Sequence, residues 1–67
     1  MRFLIKNKYR EEITQWADEH LGPMGYKWFP FYLTDDNEQA FLLHIGAPVD
    51  SLAFKLSYKE YISKEAA

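Results

Sequence analysis

The clearest pattern of apolar and polar positions lies between residues 8 and 21. Apolar residues recur there mostly every three or four positions, and charged or amide residues fill most positions between them, as on an amphipathic α-helix. Gly22 can adopt the left-handed conformation that ends a helix, and Pro23 cannot continue one. The pattern predicts a helix over residues 8–21, with an apolar stripe made of Tyr9, Ile13, Trp16, Ala17 and Leu21.

Short apolar or aromatic runs on either side of this helix predict β-strands. Residues 3–5 are an apolar run between charges, which indicates a brief buried strand. Residues 26–33 are rich in aromatic side chains, which favour strands, and Pro30 has no N–H group, so this strand should lie at a sheet edge or contain a bulge. Residues 39–45 are apolar on both faces, as in a central strand, and the turn-forming residues 34–38 predict a hairpin.

The segment from residue 49 to residue 60 fits two patterns. Apolar or aromatic residues alternate as in a strand at Leu52, Phe54, Leu56 and Tyr58. Apolar residues also follow helical spacing at Val49, Leu52, Ala53 and Leu56. Pro48 suits a first helical turn and Asp50 suits the positive end of a helix dipole, so we predict a helix, with a strand as the alternative. Residues 63–67 are expected to fray.

The predicted order is β-α-β-β-α in a single α+β domain over residues 1–67. This is a truncated ferredoxin-like arrangement: a three-stranded antiparallel sheet with residues 26–33 at one edge and both helices on one face. If residues 52–58 form a strand, the alternative is a β-α-β-β-β meander plus one helix. The expected core consists of Leu4, Ile13, Trp16, Ala17, Leu21, Phe29, Phe31, Phe41, Leu43, Leu52 and Leu56.

The second face of such a sheet has no element left to cover it. Aromatic and apolar side chains would then be exposed together, and contiguous exposed apolar patches usually mark interfaces. The predicted partner-binding residues are Tyr26, Trp28, Tyr32, Leu42 and His44. We therefore expect a non-enzymatic protein-interaction module, whose partner is another protein or a second copy, with aromatic anchors dominating the binding energy.

Composition supports a folded domain and narrows its chemistry. The chain is 48% hydrophobic, too much for a disordered tail, and it contains no cysteine, which excludes disulfides and thiolate zinc sites. No apolar run approaches the length of a signal-peptide core or a membrane span. The expected location is the cytoplasm, without membrane association.

The charge balance argues against strong nucleic-acid binding. The formal net charge is −2, whereas phosphate recognition normally requires a basic surplus. A local surplus does occur in residues 1–10. The alternative hypothesis is single-stranded nucleic-acid binding, in which sheet aromatics stack on bases and the phosphate contacts come from Arg2, Lys6, Lys8 and Arg10.

Catalytic and metal-binding patterns are weak. Residues 18–20 read Asp-Glu-His, but consecutive residues point in different directions around a helix and cannot converge on one metal ion. Residues 35–38 lack the alternation and the glycine of a calcium loop. A small enzyme using His44 with a carboxylate such as Asp50 is a further alternative, but we expect no catalytic residues, no metal and no cofactor.

Residues 49–56 read Val-Asp-Ser-Leu-Ala-Phe-Lys-Leu. This segment resembles one near the C-terminus of small accessory proteins of tailed bacteriophages. The resemblance implies a short phage-encoded protein that binds and modulates a host protein in the host cytoplasm. It assigns no site residues.

Overall fold

The computed structural model describes residues 1–33 and 37–66, with side chains for all of these except residues 31–33 and 66. Short 3-10 turns, Asn7–Tyr9 and Lys59–Tyr61, precede the first helix and the last strand. The main elements are β1 (Arg2–Lys6), α1 (Arg10–His20), β2 (Tyr26–Leu33), β3 (Gln39–Ile45), α2 (Pro48–Ser57) and β4 (Ile62–Ala66). Neither helix within the described residues is long and apolar enough to cross a membrane.

The sheet is antiparallel and has four strands in the order β2-β3-β1-β4. The prediction of an α+β domain with two helices is confirmed, whereas the predicted count of three strands is wrong. Strand β4 forms where fraying was predicted, because it pairs with the outer edge of β1 and so satisfies backbone groups that would otherwise be unpaired. A bulge between Leu4 and Ile5 shifts this pairing.

Helix α1 forms as its pattern predicts. Ile13 and Ala17 are fully buried. At the C-terminus, the N–H groups of Leu21 and Gly22 both donate to the carbonyl oxygen of Ala17, at 2.8 and 3.1 Å. Gly22 has φ +76°, the left-handed conformation that a residue with a side chain rarely adopts, so glycine ends the helix here.

Helix α2 confirms the helical interpretation of the C-terminal segment and excludes the meander. Its buried face consists of Ser51 and Phe54. The placement of Leu52 and Leu56 in the core is therefore wrong: these side chains are 57% and 75% exposed. They lie roughly opposite Phe54 on the helix, because successive residues turn by about 100°.

Both helices pack on one face of the sheet, as predicted. The Phe54 ring of α2 lies 5.0 Å from the Phe3 ring of β1 and 5.7 Å from the Trp16 ring of α1, measured between centroids. The core of fully buried side chains consists of Phe3, Ile5, Ile13, Leu43, Ile45 and Phe54. The opposite sheet face has no helix over it within the described residues.

Strand β2 lies at the sheet edge and its register with β3 shifts between Pro30 and Leu33, so both expected consequences of the proline are present. Phe29 was predicted in the core but lies on the uncovered face, because it pairs with Leu42, which is one residue out of phase with core residue Leu43. The side chain predicted in the core at Phe31 lies outside the described part, as do residues 34–36 of the predicted turn.

Candidate protein interface

Cross-strand register defines the uncovered sheet face, called the open face below. Along each strand, side chains alternate between the helices and this face. Lys27, His44 and Arg2 form one row across β2, β3 and β1. Phe29, Leu42 and Leu4 form the next row, which ends at Lys64 of β4. Lys6 and Ala40 form a third row.

The second row is the apolar centre of the open face. Leu4 is 9% exposed, although no helix of the described part of the chain lies above it. Phe29 and Leu42 are half-buried. Because neighbouring side chains on the same sheet face lie within contact distance, these residues form one continuous apolar strip across three strands.

Cationic side chains flank this strip. The Arg2 guanidinium carbon lies 5.7 Å from the centroid of the Phe29 ring, and the Lys27 Nζ lies 5.3 Å from it, both within cation–π distance. The His44 ring meets the same phenyl ring edge-on, with centroids 6.4 Å apart. Two cations of this face, Arg2 and Lys27, thus lie beside the Phe29 ring.

Acidic side chains lie mostly elsewhere. On the described part of the open face one carboxylate is close: Glu38 Oε2 lies 3.3 Å from the Lys6 Nζ. Glu65 of β4 points to the helix side, where it binds Lys55 of α2 at 2.8 Å. The exposed surface of α1 carries Glu11, Glu12, Asp18 and Glu19. Within the described residues, the open face is therefore basic and the outer surface of α1 is acidic.

Trp28 does not lie on the open face, where it was predicted together with the other partner-binding residues. This residue pairs with Leu43, so its side chain points toward the helices and packs against the core. Its indole Nε1 donates a hydrogen bond of 2.9 Å to Thr14 Oγ1 on α1. Trp28 is consequently a structural contact between β2 and α1.

Tyr26 also lies on the helix side, opposite Ile45. Its hydroxyl donates a hydrogen bond to Asp18 of α1. This hydrogen bond, together with partial burial and the nearby carboxylate charge, raises the pKa of Tyr26 to about 12. The two aromatic residues were assigned to the wrong face because every position of β2 is apolar or aromatic except Lys27, so alternation alone does not distinguish the faces.

Leu42 and His44 do share the open face, while the side chain of Tyr32 lies outside the described part. The prediction missed Phe29, Lys27 and Lys64 as members of this face. The faces of Lys27 and Phe29 could not be assigned from the sequence, because both alternating sets of residues in β2 are largely apolar. The contribution of Lys64 could not be foreseen without β4.

The four basic residues that were predicted to contact nucleic-acid phosphates do not all lie on one face. Arg2 and Lys6 lie on the open face. Arg10 is on the helix side, with its guanidinium carbon 4.2 Å from the centroid of the Phe41 ring and 5.6 Å from that of Trp28. The Lys8 Nζ lies 5.2 Å from the centroid of the Tyr9 ring.

His44 and Asp50 line one groove, which lies where β2 begins and β3 ends, beside the start of α2. The groove has a volume of about 620 Å³ and is open to solvent, with Lys27 and Met24 also in its lining. The Nδ1 atom of His44 is buried and has no hydrogen-bond partner among the described residues. Within the described residues, no three His, Asp or Glu side chains are grouped so that they could hold a metal ion.

Comparison of the chain with protein-family models, curated proteins and solved structures finds no match.

Proposed function

We propose that this chain is a non-enzymatic protein-interaction module whose open face binds an acidic, partly apolar surface of another protein. The observation that carries the proposal is the apolar strip of Phe29, Leu42 and Leu4 with Arg2, Lys27 and Lys64 around it. Apolar contact supplies most of the energy of such an interface, and the cations favour acidic partners and speed their association.

Aliphatic side chains on the central strands favour a protein over a nucleic acid. RNA-binding sheets stack bases on aromatic rings of their strands, whereas the central strands here present Leu4 and Leu42 to the open face. Phe29 lies on the edge strand, and Arg2 and Lys27 already lie over its ring. Single-stranded nucleic-acid binding is the second candidate, supported by the cations of this face.

Like charges oppose pairing of two open faces. A face-to-face dimer would bring together the cations of both copies, and each copy contributes Arg2, Lys27 and Lys64. Like charges that lose water in an interface are costly. A foreign acidic surface is therefore the better occupant of this face.

The element order and the β2-β3-β1-β4 strand order support assigning the domain to the ferredoxin-like class. The segment from residue 49 to residue 56 supports a bacteriophage origin, with a host protein in the cytoplasm as the partner.

The experiment compares three labelled probes by fluorescence anisotropy: a peptide of interspersed glutamates and leucines, the same peptide with lysines for glutamates, and an oligothymidylate. The acidic peptide should bind most tightly, and added salt should weaken its binding. Leu42→Glu places a carboxylate among the cations and should weaken binding about tenfold or more. Gln15→Glu adds the same charge on the exposed side of α1 and should leave binding unchanged.

Equal affinity for the acidic and basic peptides would contradict the proposal. Tighter binding of the oligothymidylate than of the acidic peptide would contradict it in favour of nucleic acid. Because Leu42 is half-buried, its variant is checked by circular dichroism. Lys27→Glu at an exposed position provides a second variant with the same expected loss of binding.

A further inference from the structure

Helix α2 exposes a stripe of apolar side chains on the side away from the sheet. Val49, Leu52 and Leu56 are 78%, 57% and 75% exposed, and Ala53 is exposed between them. A helix packed on a sheet normally carries polar residues on its outer face. These four residues are named the α2 stripe, and their spacing places them side by side over two turns. An exposed apolar patch of this kind marks an interaction surface.

We infer that the α2 stripe binds the α2 stripe of a second copy, with the two helices antiparallel. The stripe contains no charged side chain. If the partner were the open face of another copy, the cations of that face would be buried against aliphatic groups. If the partner were the outer surface of α1, its carboxylates would be buried in the same way. Unpaired charges are costly to bury, so the second stripe is the matching surface on this chain.

Electrostatics at the helix ends favours the antiparallel orientation. Asp50 lies in the first turn of α2 and Lys55 in the last turn. Lys55 already binds Glu65, so the preference for this orientation comes from the two helix dipoles, which antiparallel packing opposes. Ala53 near the middle of the stripe allows the helix axes to approach closely. The arrangement has two-fold symmetry and closes at two copies.

The size of the stripe sets the strength of the dimer. Residues 49–56 span roughly 10 Å along the helix axis, whereas a standard stable interface buries about 800 Å² on each partner. Four small or medium side chains cover less than this, so the dimer should be weak and should form as the protein concentration rises. Because α2 packs on the other side of the sheet, both open faces remain accessible in the dimer. Two linked open faces would bind a repetitive acidic partner with avidity.

Sedimentation equilibrium over a range of protein concentrations tests the inference. The mass should rise from 8.0 kDa toward twice that value, and added salt should leave the association intact or strengthen it. Leu52→Glu should keep the protein monomeric at concentrations about tenfold above the wild-type midpoint. Leu42→Glu is the matched control, since it makes the same substitution on the open face, and it should dimerise like the wild type.

A monomer at every concentration would overturn the inference, as would a dimer that Leu52→Glu leaves unchanged. A third outcome would also overturn it: Leu52→Glu and Leu42→Glu both fail to associate alone but form a one-to-one complex when mixed. That result would indicate head-to-tail contact between the α2 stripe and the open face. Leu52 is largely exposed, so its variant should fold, and Leu56→Gln provides an uncharged second variant with the same expected weakening.

Discussion

The aromatic residues of β2 show how a neighbouring helix decides the role of a side chain. The Trp28 indole N–H donates to Thr14 and the Tyr26 hydroxyl donates to Asp18, so α1 supplies a hydrogen-bond acceptor for each of these polar groups. Buried or half-buried Trp and Tyr side chains usually require such a partner. Strand formation by residues 26–33 could be predicted from aromatic content, but the face assigned to each ring depends on α1 and could not.

Loss of the Trp28 contact should destabilise the fold. Trp28→Ala removes a half-buried indole packed against the core and should lower the free energy of unfolding by about 2 kcal/mol. Thr14→Val removes only the acceptor and should cost about 1 kcal/mol. Urea unfolding followed by circular dichroism measures both, with Gln15→Ala as an exposed control on the same helix. An unchanged midpoint for Trp28→Ala would show that the side chain is not a structural contact.

The Tyr26 hydroxyl should make stability fall at alkaline pH. Its pKa is about 12 in the folded protein against 10.0 as the ordinary value, so the folded state keeps a proton that the unfolded state loses between these pH values. The stabilisation is complete below pH 10 and disappears as pH rises through 12. Tyr26→Phe should flatten this decline in thermal melts recorded from pH 9 upward. If stability fell equally steeply with pH in the wild type and in Tyr26→Phe, the raised pKa of Tyr26 would be refuted as its cause.

At the scale of elements, local patterns predicted α1, β1, β2, β3 and α2 but not β4. Residues 62–66 contain Lys, Glu and Ala, which are depleted in strands, so their pairing with β1 is decided by the unpaired edge rather than by local preference. The helical spacing led to Leu52 and Leu56 being predicted in the core, but both side chains are exposed. Phe54 and Ser51 face the sheet instead, because the larger ring fills the space between Phe3 and Trp16.

Two substitutions by serine test whether β4 contributes to the fold and whether Leu56 is exposed. Ile62→Ser removes a half-buried side chain packed against the core and should lower the free energy of unfolding by about 1–2 kcal/mol. Leu56→Ser changes a side chain that is 75% exposed and should cost less than about 0.5 kcal/mol. Chemical denaturation below the concentration of self-association gives the two values. The reverse ranking would mean that residue 56 faces the core and β4 contributes little.

At the scale of the whole molecule, charge separates into two layers. The sheet presents Arg2, Lys27 and Lys64 to the open face, and α1 presents its acids on the other side. Net charge gave no indication of this separation, because opposite charges on different faces cancel in a sum. The uncovered sheet face, as the described residues show it, could be predicted from the order of the elements. Its basic character could not, since it depends on strand register.

The most direct test of the open face as the binding surface is a map of amide chemical shifts during titration with the glutamate–leucine peptide. The largest changes should occur at Leu4, Phe29 and Leu42 and at the cations beside them, while α1 and α2 should change little. Changes concentrated on α1 or α2, with β1 and β3 unaffected, would contradict a binding surface on the open face.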